Sequence, residues 1–319
     1  MSLKAVLAVL KETGNDWLDD KAMRLAAALA FYTLLSLAPL LMLVVSVAGL
    51  VFGDEAARGQ VAGEITGLVG AQSADAIQTI LASAKKPSSG VLGTVFSGVV
   101  LLFGASGVFG ELQESLNVIW EVQPKTGRGF LGFVKDRFFS FSMVLGVAFL
   151  LLVSLAMSAF LAAAGRYFAA LLPGGEGVWS VVNVVVSFLM ITGLFGLIFK
   201  LVPDVKVPWR DIWLGAAVTA LLFSLGKLGI GLYLGKSGVA SPFGAAGSVV
   251  VIVIWVYYSA QILFFGAELT QVWARRRGAH IEPTANAKPL TNEARAQMGI
   301  PKATETETEE DAPKTISIA

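Results

Sequence analysis

One stretch, Pro242–Arg277, reads PFGAAGSVVVIVIWVYYSAQILFFGAELTQVWARRR. It carries no charged residue between Ala245 and Gly266, and about 20 apolar residues are enough for a helix to cross the hydrocarbon core of a bilayer. A helix of this length in a soluble protein would show a polar face, and this stretch shows almost none. The three arginines that close it are typical of a cytoplasmic end. The stretch therefore predicts a membrane-spanning helix.

The composition of the whole chain also favours a membrane protein. The chain has 319 residues, of which 55% are hydrophobic and 15% are charged, and its mean hydropathy is +0.71. Soluble globular domains carry about 25% charged residues. The sequence has no cysteine, which excludes a disulfide framework and a thiolate metal site. The net charge of +1 provides no basic surface for nucleic acid, so no nucleic-acid partner is expected.

Six apolar segments are long enough to span a bilayer, so the sequence predicts an all-α, polytopic membrane protein with six transmembrane helices. The transmembrane domain covers residues 21–277, and its spans lie at about residues 25–52, 91–110, 138–164, 178–199, 212–234 and 245–270. Residues 1–20 are predicted to form a cytoplasmic amphipathic helix, and residues 53–90 are predicted to form short helices on the outer face. Residues 278–319 are predicted to be a disordered cytoplasmic tail, because they are rich in Thr, Glu, Pro and Ala.

Lysines and arginines are distributed unevenly among the connecting segments. Fourteen of them lie in segments 1–24, 111–137, 200–210 and 275–277. Only five lie in segments 53–90, 165–177 and 235–243. Because cytoplasmic loops carry an excess of these residues, both termini are predicted to be cytoplasmic.

Polar side chains within or beside the spans are the candidates for a functional site. Lys227 is expected to point into the bundle, because an ionisable group that faces lipid is costly. Tyr32 and Gln261 are expected to line the same interior space. The alternatives are that Lys227 reaches the outer headgroups and that Glu268 is a solvated acid at the inner boundary. The full set predicted to line a polar cavity is Arg24, Tyr32, Ser36, Pro39, Glu114, Asn117, Asn183, Lys227, Tyr257, Gln261 and Glu268.

The sequence contains no complete catalytic motif, so we expect no enzymatic activity. The GASG motif at Gly104–Gly107 would need a general base, and no predicted span contains a histidine. The GKS motif at Gly235–Ser237 lacks the earlier glycine of a phosphate-binding loop. His280 is the single histidine, and the acidic residues are not spaced as metal ligands. No catalytic residue, metal or cofactor is therefore predicted.

Four sequence blocks, in order, carry a resemblance to a known family. They are FYTLLSLAPLL, ELQESLNVIW, PDVKVPWRDIWLGA and FGAAGSVVVIVIWVYYSAQILFFGAELTQVWARRR. Together they resemble the YihY/BrkB family of bacterial inner-membrane proteins, once labelled ribonuclease BN, over residues 5–278. The resemblance implies six transmembrane helices in the inner membrane, a link to virulence or serum resistance in some members, and a role in transport.

The resemblance supplies no established functional residues to carry over to this chain. One local departure is Phe243, which stands where a tyrosine often precedes the GAAGS-like run. The nuclease label does not fit the sequence, because the chain has neither a predicted metal cluster nor a basic groove.

The sequence therefore predicts a multi-pass protein of the bacterial inner membrane that transports or exports a small solute or a lipid-like molecule. Membrane lipids are its expected partners, and a homo-oligomer is compatible with the chain. The alternative is a non-transporting scaffold or assembly protein of the cell envelope, in which glycines and polar residues serve only helix packing.

Overall fold

The computed structural model describes residues 3–53, 59, 107–125, 175–237, 247–279 and 281–301. The described part of the chain is mostly helical, with helices α1 (Leu3–Asp19), α2 (Ala22–Phe52), α3 (residues 107–119), α4 (Gly175–Leu201), α5 (Trp209–Ser237), α6 (Gly247–Arg276) and α7 (Asn292–Met298). It also contains four short strands, β1 (Val122–Pro124), β2 (Val205–Lys206), β3 (Glu282–Pro283) and β4 (Ala287–Pro289).

The long helices α2, α4, α5 and α6 coincide with four of the six predicted spans. Two helical segments of the described part, Val181–Leu201 and Val249–Arg276, are long and apolar enough to cross a membrane. Apolar side chains on α4 remain exposed, with exposed fractions of 65% for Val184 and 60% for Leu189, as expected for a surface in contact with lipid. The predicted span 138–164, most of span 91–110 and the predicted outer-face helices lie outside the described residues.

Helix α6, which is formed by the uncharged apolar stretch and its closing arginines, lies at the centre of the described packing. It contacts α1, α2 and α5, and α5 in turn contacts α4. Phe264, Ala267 and Val272 of α6 are completely buried. The hydrophobic core around Phe264 and Ala267 draws on α2, α3, α4 and α5, whereas Val272 packs against Val9 of α1, so α6 organises the described part of the bundle.

Helices α5 and α6 cross at their closest approach through a reciprocal pair of glycines and threonines. A Cβ atom added to Gly215 would lie 2.9 Å from Cβ of Thr270, and one added to Gly266 would lie 2.9 Å from Cβ of Thr219. Each threonine hydroxyl donates to the carbonyl of the glycine four residues earlier on its own helix, at 2.6 Å from Thr219 and 2.7 Å from Thr270. Small residues at this spacing allow two helix backbones to approach closely.

The tail, residues 278–319, is predicted from its composition to be disordered. In the structure, its residues 281–301 instead contain strands β3 and β4 and helix α7. Strand β4 pairs antiparallel with β1, and β3 pairs antiparallel with β2, so the tail joins two connecting segments that are far apart in sequence. Helix α7 follows, with Thr291 as its N-cap and Gly299 in the left-handed conformation after its end. The all-α prediction also misses these two small sheets. The composition of the tail indicated disorder, because composition alone cannot show that a segment pairs with strands far away in the sequence.

Helix α1 is an amphipathic helix, as predicted, and ion pairs attach it to the end of α6. The Arg275 guanidinium donates to Glu12 at 2.8 Å and to Asp16 at 2.9 Å, and Arg276 also donates to Glu12. Burial raises the pKa of the Glu12 carboxyl, but the hydrogen bonds from Arg275 and Arg276 outweigh it and leave that pKa lowered. The closing arginines of the apolar stretch therefore hold the N-terminal helix in place.

Candidate functional site

Polar contacts at one end of the bundle join the blocks that were singled out in the sequence. Asn117 of α3 donates from Nδ2 to Oδ2 of Asp204 at 3.0 Å, and the Asp204 backbone N–H donates to Oδ1 of Asn117 at 2.7 Å. Gln113 Nε2 also donates to Asp204, at 3.3 Å. Asn117 is thus a structural tie between α3 and the α4–α5 connection. The Asp204 carbonyl accepts from the backbone N–H of Thr284, which extends the tie to the tail.

A completely buried carboxyl, that of Glu268, lies in the middle of this end. Its side chain has an exposed fraction of 0%, and no donor among the described residues reaches either of its oxygens. Burying an ionised carboxylate without a partner carries a large free-energy cost, so such a group is expected to be neutral or to serve a function. Glu268 is therefore the most unusual polar group of α6.

The group that contacts Glu268 is a second carboxyl, that of Asp20. The two side chains lie beside one another, and the exposed fraction of Asp20 is only 8%. Asp20 occupies the tight turn between α1 and α2, where its backbone N–H donates to the carbonyl of Asp16 and the following Lys21 has a positive φ of 55°. This turn carries the acid directly against α6.

Other charged groups surround the pair of Asp20 and Glu268, which we call the carboxyl pair. Asp16 and Glu121 add negative charge beside both members, and Arg295 of α7 adds positive charge beside Asp20. Burial raises the pKa of Asp20 to about 7, with a further rise from the Glu121 carboxylate that Arg295 opposes. Burial also raises the pKa of Asp16, against the lowering effect of Arg275.

Two ion pairs tie the outer members of this group to other elements. Arg295 Nη2 lies 2.7 Å from Oε1 of Glu121, and its side chain is nearly buried. Arg275 contacts Asp16, whose side chain is 28% exposed and therefore reaches water. The carboxyl pair is thus enclosed, with Asp16 between it and the solvent. Two acids in contact with one another can hold one proton or a cation.

The residues predicted to line one polar cavity are distributed over several places. Ser36 is buried and Tyr32 is partly exposed, and both lie beside Gly107 at the start of the described part of α3. Asn117 lies in the tie to Asp204, and Glu268 lies in the carboxyl pair. The remaining partly buried members of the set are Pro39, Tyr257 and Gln261.

Five of the predicted residues are exposed, namely Arg24, Tyr32, Glu114, Asn183 and Lys227. The Lys227 side chain is exposed in the part of the chain that the structure describes, and whether it points into the full bundle or reaches the outer headgroups stays a prediction. The interpretation of Glu268 as a solvated acid is wrong in the described structure, because its side chain is completely buried.

Several residues of the site were not singled out in the sequence. Asp20 lies in the acidic run DWLDD before the first span, and it looked like an ordinary solvated residue. Asp204, Glu121 and Arg295 lie in connecting segments and in the tail. The charge distribution could have found part of the site, because it assigned Asp20, Asp204 and the end of the last span to the same side of the membrane.

Comparison with known proteins shows what this chain is similar to. The family model described as "Virulence factor BrkB" matches residues 14–291, which include the carboxyl pair, the Asn117 tie and strands β1 to β4. No solved structure matches the chain significantly.

Among its relatives is a UPF0761 membrane protein of Pseudomonas aeruginosa (strain LESB58), 27% identical over 272 residues that cover 82% of this chain and 62% of the relative. A UPF0761 membrane protein of Enterobacter sp. (strain 638) is 29% identical over 198 residues, covering 60% of this chain and 61% of the relative. A UPF0761 membrane protein of Vibrio cholerae is 29% identical over 191 residues, covering 57% of this chain and 59% of the relative. The matched region is less than two thirds of the length of each of these relatives.

Proposed function

Because the chain belongs to the virulence factor BrkB family of membrane proteins, we propose that it is a multi-pass inner-membrane transporter of a small solute or a lipid-like molecule. The observation that carries the proposal is the fully buried, unpartnered carboxyl of Glu268 in an apolar membrane helix. Ionisable groups inside a membrane bundle are costly to bury and usually belong to substrate or ion pathways.

The position of Glu268 supports a role beyond folding. A carboxyl at this place has no cation to neutralise it among the described contacts, and the neighbouring Asp20 is another acid. An amide or an apolar side chain would fill the same space at a lower free-energy cost. A buried carboxyl that only helps the protein fold would be expected to have a basic partner. A carboxyl that binds and releases an ion or a substrate must instead tolerate a change in its own charge.

Six spans with both termini in the cytoplasm are part of the proposal. In support, α1, the end of α3, the α4–α5 connection and the tail all meet at the end of the bundle that holds Arg275 to Arg277. These are the segments with the excess of lysine and arginine.

A scaffold function is the competing proposal, and a specific observation favours it. The Gly215–Thr270 and Gly266–Thr219 contacts make the α5–α6 crossing a closely packed, solid interface, which suits a structural role. The folded tail, which links two connecting segments, suits assembly with a partner equally well.

A vesicle assay separates the two proposals. Purified full-length protein is reconstituted into liposomes, and movement is followed for a panel of fluorescent phospholipids and a panel of radiolabelled small solutes. Transport predicts that at least one compound crosses faster than in protein-free liposomes prepared in parallel. If no compound does so, while cross-linking in cells captures a stable envelope assembly, the scaffold proposal replaces transport.

A further inference from the structure

The carboxyl pair forms a site that the motifs of the sequence do not explain. Asp20 and Glu268 lie beside one another, both are almost or completely buried, and no described donor bonds to either oxygen of Glu268. An ionised carboxylate can only accept hydrogen bonds, so two carboxyl groups can bond to each other only if one of them carries a proton. Like charges at such short range also oppose double ionisation, as in paired catalytic carboxylates.

We propose that Asp20 and Glu268 bind a single shared proton and that this proton is the coupling ion of the transporter. The coupling part of this inference rests on the proposed transport function, whereas the proton site does not. One carboxyl donates its O–H to an oxygen of the other, and the pair carries one negative charge. On deprotonation the proton leaves to water, both groups are ionised, and their repulsion favours separation of the α1–α2 turn from α6.

The charged groups that face the pair from each packed element define how it exchanges its proton. The negative groups are Asp16 and Glu12 of α1, with Glu12 further from the pair, and Glu121 of the segment after α3. The positive groups are Arg295 of α7 and Arg275 at the end of α6. Arg295 and Arg275 offset the negative charge of Glu121 and Asp16 through their ion pairs. Asp16 is partly exposed, so it offers the route between the pair and water.

The pair is suited to a proton and not to a resident metal ion. The described residues contain no group of three or more His, Cys, Asp or Glu side chains that could hold a metal. Magnesium and calcium prefer six or more oxygen ligands, and the two enclosed carboxyls of the pair do not supply that number. A proton needs only the two oxygen atoms that the pair provides.

Infrared difference spectroscopy on the full-length protein in lipid nanodiscs tests the proton site directly. The C=O stretch of a protonated carboxyl, recognised by its shift in D₂O, should appear at acidic pH and disappear near neutral pH. Asp20→Asn and Glu268→Gln should each shift the frequency of this band and the pH at which it disappears, because either change leaves a single buried carboxyl with no second carboxyl to share its proton. Glu293→Gln, a matched change at an exposed glutamate, should leave it intact.

The outcomes separate the proton site from transport. A wild-type spectrum without a titrating carboxyl band overturns the proposal, as does a band whose frequency and pH dependence are unchanged in both Asp20→Asn and Glu268→Gln. Gel filtration identifies any variant that fails to fold, and the wild-type spectrum remains decisive in that case. If the band is present but vesicles move no compound, the proton site stands and transport fails. If vesicles transport a compound at a rate independent of pH and of Glu268→Gln, transport stands and proton coupling fails.

Discussion

At the scale of single residues, the protonation of Asp20 should make the stability of the protein depend on pH. The pKa of Asp20 is raised from 3.8 to about 7 by burial, so the folded state holds a proton that the unfolded state loses at lower pH. Its stabilising contribution is complete below the unfolded pKa and is lost as pH rises through the folded pKa. The melting temperature should therefore fall between about pH 4 and about pH 7 and then level off.

Matched substitutions at Asp20 and at the adjacent Asp19 check this prediction. Asp20→Asn should flatten the fall in melting temperature measured by differential scanning fluorimetry, because an amide has no proton to lose in this range. Asp19→Asn changes an exposed side chain by the same chemistry and should preserve the wild-type profile. Equal pH profiles for the two variants would contradict the assignment of the protonated group to Asp20.

The two members of the carboxyl pair differed in how predictable they were. Glu268 stood out because it interrupts an apolar span, so its position in a helix could be read from the sequence. The burial of Glu268 could not be predicted from the sequence. A residue near the end of a span is solvated or buried depending on which other segment packs against it. The covering segment here is the turn at Asp20, which lies at the other end of the chain.

At the scale of elements, the α5–α6 crossing should depend on its glycines. Gly266→Ala should lower the free energy of unfolding by about 1–3 kcal/mol, because the added Cβ would overlap the Thr219 side chain. Thermal denaturation of the detergent-solubilised protein measures the effect. Gly193→Ala is the matched control, since a Cβ there meets no atom within 4 Å. This control should be neutral or stabilising, because alanine has the higher helix propensity. Equal melting temperatures for the two variants would show that the crossing is looser than described.

The tail should stabilise the end of the bundle that it joins. A chain ending at residue 278 loses the β1–β4 and β2–β3 pairings and the ion pair between Arg295 and Glu121, so its melting temperature should fall. A chain ending at residue 301 keeps every described contact of the tail and should match the full-length protein. A chain ending at 278 that melts like the full-length protein would mean that the pairings contribute nothing to stability.

Helices were predictable from the sequence, and the contacts between them were less so. The apolar runs gave the approximate limits of α2, α4, α5 and α6, since length and hydropathy are properties of a single segment. The glycines of the outer half of α5 attracted attention, whereas the closest crossing uses Gly215 near its start. Strands β1 to β4 have two or three residues each, too few for any periodic pattern, and only their pairing makes them visible.

At the scale of the whole molecule, the proposed orientation can be tested by labelling, because the chain contains no cysteine. In intact cells, an outer-membrane-permeable but inner-membrane-impermeant maleimide should label Gly59→Cys, which is exposed in the segment assigned to the outside. It should label Ala296→Cys, on the exposed side of α7, only after the inner membrane is opened. The reverse pattern would invert the topology, and labelling of both in intact cells would contradict the six-span arrangement.

The most direct test of the account is whether the buried carboxyl of Glu268 serves transport and not folding. The measurement is the initial rate of flux, in vesicles with equal amounts of protein, of a compound that the wild-type protein moves. Glu268→Gln should reduce this rate to that of protein-free vesicles while its melting temperature stays at or above the wild-type value, because the amide removes a buried acid without changing its shape. Glu293→Gln, a change at an exposed glutamate outside the predicted cavity, should keep the wild-type rate. A Glu268→Gln protein that transports at the wild-type rate would contradict the account.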